Sequence, residues 1–66
     1  MDIKQYVEYN GLMDATYIGD GVYAAHDGYQ VWLITQHYDE PAIAIALPPR
    51  ELAVLMNYWA RVTKPG

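Results

Sequence analysis

A chain of 66 residues has room for one domain and one small core, near the lower limit for folding unaided. The absence of cysteine excludes disulfides, thiolate zinc sites and cysteine nucleophiles, and a net charge of −4 with only four scattered Lys and Arg excludes a general grip on nucleic-acid phosphates. Yet 53% of the residues are hydrophobic, with seven tyrosines and two tryptophans, more than so small an interior can bury. Self-association is the expected outlet for the surplus.

No run approaches the roughly 18–20 apolar residues of a membrane span. The first residues, Met1-Asp2-Ile3-Lys4-Gln5, lack the basic and hydrophobic regions of a signal peptide. A soluble, cytoplasmic protein with no membrane partner is expected.

In chain order, residues 2–9 predict a short helix: Asp2 suits an N-cap, Ile3 and Val7 share a face, and Asn10-Gly11 is a stop. Eight residues are too few for an isolated helix, so this one must dock or fray. From Ala15 the rhythm becomes strands and turns. Ala15–Ile18 is followed by Gly19-Asp20-Gly21, and then by Val22–His26. Asp27-Gly28 predicts a two-residue type I′ hairpin turn, after which Tyr29–Gln36 reads as the longest strand. His37–Pro41 is a polar loop. Ala42–Leu47 alternates large and small residues with period two.

Pro48-Pro49 ends the last strand and opens a helix, with Glu51 at its positive end and Arg61 and Lys64 at its negative end. Leu52, Leu55, Met56, Trp59 and Val62 form an apolar stripe on it, and Pro65-Gly66 is the expected stop. The predicted fold is therefore α+β: an antiparallel meander of about four strands over 15–47, closed by one amphipathic helix over 49–63, with a short N-terminal helix over 2–9. It is one domain, 1–66, with 1–14 as an N-terminal extension and 15–64 as the core.

One helix covers one face of such a sheet. Ile43, Ile45 and Leu47 are expected under the C-terminal helix, with the alanines of that strand facing away. On the long strand Trp32 and Ile34 point away from Val31 and Leu33, and would be a sticky patch if left bare. Either the N-terminal segment or another copy of the protein must bury them, and the contact between subunits is the favoured expectation.

Catalytic chemistry finds little to stand on. The chain has neither serine nor cysteine, which removes the usual Ser–His and Cys–His nucleophiles. Asp14, Asp20 and Asp27 sit in or beside turns, where Asp serves its own backbone. His26 and His37 lie near Asp27, Asp39 and Glu40 in sequence, but nothing forces them to converge on a metal, and surface histidines in turns are the ordinary reading. Gly19-Asp20-Gly21 lacks the longer glycine pattern of a phosphate-cradling loop. No catalytic residue, metal or cofactor is expected. The tyrosines offer more, because a ring with a polar tip suits a binding surface as well as a half-buried strand position. Tyr17, Tyr23 and Trp32 are the candidates for stacking on a ligand, and Arg50 and Arg61 for contacting an anion.

Tyr17-Ile18-Gly19-Asp20-Gly21-Val22-Tyr23-Ala24, then Asp27-Gly28-Tyr29-Gln30-Val31-Trp32-Leu33, then Ile45-Ala46-Leu47-Pro48-Pro49 before a closing helix, resembles a group of short proteins common in phage genomes. The likeness spans about residues 16–62 and carries no assigned activity. It implies a small accessory protein of a phage or prophage, of a kind that works by binding. The expected function is a homo-oligomeric, non-enzymatic module that inhibits host defence by sequestering a small nucleotide signal between its subunits. Two alternatives stand beside it: an inhibitor that binds a host defence protein, and a structural or virion-associated accessory protein. Direct nucleic-acid binding is not expected in any of them.

Overall fold

A computed structural model describes residues 1–64 of the chain. Helix α1 (Ile3–Tyr9) precedes strands β1 (Met13–Gly19), β2 (Val22–His26), β3 (Val31–Thr35) and β4 (Ile43–Leu47), and helix α2 (Pro49–Val62) follows. The strands form one antiparallel sheet in the order β1-β2-β3-β4, the expected α+β meander with a helix at each end. Pro65 and Gly66, read as the helix stop, lie outside the described residues.

Helix α1 starts where the sequence places it. The Asp2 carboxylate accepts the Gln5 N–H at 2.8 Å and Gln5 Oε1 accepts the Asp2 N–H at 3.0 Å, a reciprocal capping box. At its far end the Leu12 N–H donates to the Val7 carbonyl. Seven residues cannot hold a helix in water, so tertiary contact has to supply the stability. The Met1 carbonyl accepts the Ala42 N–H at 2.8 Å beside the start of β4, while the chain enters β1, the opposite edge strand, at Met13. The N-terminal segment that carries the helix thus runs from the β4 edge of the sheet to the β1 edge. Ile3, Tyr6 and Val7 pack against a core of Leu12, Ala25, Ile34 and Ala42, with Tyr23, Trp32 and Ala44 around it. Ile34 is completely buried. The face carrying Trp32 and Ile34 is therefore covered by the N-terminal segment, contrary to the expectation that a second subunit would bury it. The small side chains Ala25, Ala42 and Ala44 are the physical reason, since they leave room for a helix to lie close.

The type I′ turn expected at Asp27-Gly28 is found instead at the first hairpin. Asp20 and Gly21, between the paired residues Gly19 and Val22, both take positive φ (50° and 78°), as a two-residue type I′ turn requires. At Asp27-Gly28 only Gly28 does so (φ 91°). There the Asp27 carboxylate accepts N–H groups from Tyr29 and Gln30, which opens the connection to four residues. Tyr29 and Gln30 consequently leave the strand. β3 is five residues long, and β1 with seven is the longest. β1 bends through two register shifts, with Asp14 at φ 56° inside the first.

Helix α2 does not lie over the sheet. Its apolar stripe is present as predicted, but only Leu52 is even half-buried, and Trp59 is 64% exposed. The expected cover for Ile43 and Ile45 is missing, and Ile45 is 65% exposed. The cause is the junction. One residue, Pro48, separates β4 from α2, in extended conformation (φ −60°, ψ 163°) and followed by Pro49. Two prolines fix φ in succession and hold the preceding residues extended, so the chain cannot double back onto the strand it has just left. The radius of gyration is 13.4 Å with principal extents of 43 × 27 × 15 Å, where a compact chain of this length has about 11 Å.

Candidate functional site

The five residues singled out for binding fall into three places. Tyr17 on β1 faces Tyr23 on β2 across the ladder, and their rings stand 5.0 Å apart at a 59° tilt. This is the usual attraction of one ring's edge to another's face. The Tyr17 hydroxyl accepts the Gly21 N–H at 3.1 Å, so it is tied to the turn, while its ring remains exposed. Tyr23 lines a shallow depression with Ile3, Val7 and Ala15 beside α1.

Trp32 is committed to the fold. Its ring meets Tyr6 of α1 edge to face at 6.2 Å, and its indole N–H donates to Asp27 at 3.0 Å. Asp27 accepts four hydrogen bonds in all: the N–H groups of Gln30 and Tyr29, the Gln30 amide and the Trp32 indole. The Gln30 N–H, then the indole, then the Tyr29 N–H hold this carboxyl well below the usual carboxylate range. Asp27 is thus an ionised anchor for the hairpin rather than a proton donor. His26 has a similar local task, its Nδ1 accepting the Gly28 N–H at 3.2 Å.

Arg50 and Arg61 share one side of α2. At 100° per residue, Arg50, Val54, Asn57, Tyr58 and Arg61 project from one side and the apolar stripe from the other. The two guanidinium groups lie about 16 Å apart along the axis by helix rise, so only Arg61 belongs to the groove between them. That groove, of about 220 Å³, is lined by Val54, Asn57, Tyr58 and Arg61, and the Arg61 guanidinium sits 5.6 Å from the centre of the Tyr58 ring. Asn57 and Val54 were not among the expected binding residues. The i, i+4, i+7, i+11 spacing from Arg50 to Arg61 was the signal that could have found them.

These groups do not converge in one chain. Tyr17 and Tyr23 lie at the β1 end of the sheet and α2 leaves from β4, at the opposite edge. Among the described residues, no three His, Asp or Glu side chains gather into a group that could hold a metal ion, and no helix is long and apolar enough to cross a membrane.

The second apolar surface is the sheet face opposite α1. Pairing puts Val22, Ala24 and His26 on it from β2, Val31, Leu33 and Thr35 from β3, and Ile43, Ile45 and Leu47 from β4. A depression of about 250 Å³ there is lined by Val22, Leu33, Thr35, Ile43 and Ile45. From β2 to β4 no carboxylate, guanidinium or ammonium group interrupts it. No protein-family model, curated protein or solved structure matches the chain.

Proposed function

We propose that this chain is a non-enzymatic accessory binding module of the phage type, which self-associates and holds a small anionic aromatic ligand such as a nucleotide signal of host defence. The observation that carries the reading is the α2 groove, where Arg61 lies over Tyr58 with Asn57 beside it. A guanidinium offers paired donors to a phosphate, a tyrosine ring offers a stacking face to a base, and an amide can read the base edge. One side of one helix is half a site. Tyr58 stands between the arginine side and the apolar stripe, so a partner subunit seated on the stripe would border the groove and supply its second wall. The working compartment under this reading is the cytosol of the infected host.

Calorimetric titration with a panel of linear and cyclic nucleotides tests the proposal. Heat of binding to at least one of them is expected, with Arg61→Ala weakening it about tenfold or more, the loss of one charge-assisted contact of roughly 1.5–3 kcal/mol. No heat from any nucleotide would remove the nucleotide reading. The bare sheet face favours a second reading, an inhibitor that binds a host protein, because an uncharged apolar surface suits a protein partner. A single stoichiometric partner recovered from infected cells, with no nucleotide bound, would establish that reading instead.

A further inference from the structure

Among the described residues two apolar surfaces lack a partner, and they match in chemistry and length. One is the α2 stripe of Leu52, Leu55, Met56, Trp59 and Val62, about 15 Å long from end to end. The other is the open sheet face centred on Leu33 and Ile45, about 10 Å across β2, β3 and β4 and about 17 Å along them. The Pro48-Pro49 junction keeps the stripe of one chain from reaching its own sheet. It does nothing to keep that stripe from the sheet of another copy.

The exposed area agrees. A folded monomer of 7.5 kDa is expected to expose about 4,200 Å², whereas this chain exposes 5206 Å². The excess, roughly 950 Å² per chain, comes to about 1,900 Å² for a pair, within the range of about 1,200–2,000 Å² that a stable interface buries. We infer that the occupant is a second copy: α2 of each chain lies across the open sheet face of the other, in a reciprocal two-fold pair. Because the exchange is reciprocal, the two-fold axis brings both stripes and both sheet faces of the pair into contact at once, which closes the assembly at two chains. The inference rests on the reading of the chain as a self-associating module and specifies where the copies meet.

Because the chain has no cysteine, single thiols can be placed at will. Ile45→Cys and Leu55→Cys, both at exposed positions, are purified separately, mixed and treated with a short thiol cross-linker. Asn57→Cys, on the other side of α2, is the control. Light scattering on the unmodified protein gives its mass without any substitution. The expected results are a pair of chains in solution, a cross-link between Ile45→Cys and Leu55→Cys, and at least tenfold less product with Asn57→Cys. A pair that cross-links no better through position 55 than through 57 would overturn the helix exchange while leaving self-association standing. A monomeric mass for the unmodified protein would overturn both. A double variant, Ile45→Cys with Leu55→Cys, that closes within one chain at monomer mass would show the helix folding back, and would also overturn the exchange.

Discussion

Among the described residues Ile34 is the one large side chain that the fold buries completely, and its removal should nearly unfold the protein. Ile34→Ala deletes three carbons, which at about 0.8 kcal/mol per buried methylene loses about 2.4 kcal/mol. The hole left behind adds to this. Of its neighbours in the core, Ala25 and Ala42 have no side-chain length with which to fill it, which leaves Leu12 alone to do so. The total should therefore fall in the upper half of the roughly 2–5 kcal/mol range of such substitutions. A single core of this size supplies about 3–5 kcal/mol, so little would remain. Ile34→Val removes one carbon and should cost about 1 kcal/mol. Urea titration followed by far-ultraviolet circular dichroism, at one protein concentration for all three proteins, measures the two losses. A loss below about 1 kcal/mol for Ile34→Ala, or equal losses for Ala and Val, would refute the placement of the core between α1 and the sheet.

Two further outcomes follow from the polar anchors. The Asp27 carboxyl is held below its ordinary range by hydrogen bonds in the folded state, so its contribution is complete above the unfolded value of about 3.9 and is lost as pH falls below it. The urea midpoint of the native protein should fall more steeply below about pH 4 than that of Asp27→Asn, and parallel curves would contradict the anchor. Asp2→Ala removes the capping box of α1 and should cost about 1 kcal/mol, with faster amide exchange at Leu12 and Ala42, whose N–H groups are held at the two ends of the α1 segment. Unchanged exchange at both amides would show that α1 holds its place without the cap.

The elements with local causes were legible in the sequence. The Asp2 cap, the alternation in β4, the Pro49 helix start and the apolar stripe of α2 all depend on residues a few positions apart, and each is found where its pattern lies. The Asp27-Gly28 turn shows where such reading ends. The dipeptide suits a two-residue turn, but Trp32, five residues on, reaches back to the same carboxylate and stabilises a wider loop.

Of the binding candidates, sequence alone identified residue types that suit a ligand: Tyr17, Tyr23, Trp32, Arg50 and Arg61. Their grouping was decided in three dimensions. Tyr17 meets Tyr23, Trp32 is taken into the packing under α1, and Arg61 finds Tyr58 rather than a tyrosine of the sheet. The same holds for the two faces. A helical stripe and an alternating strand each specify that an apolar side needs cover, because burial is favourable whatever supplies it. They do not specify the cover. Only the tertiary structure decided that α1, too short to be stable alone, crosses the face of Ile34, and that two prolines turn α2 away from the face of Ile45.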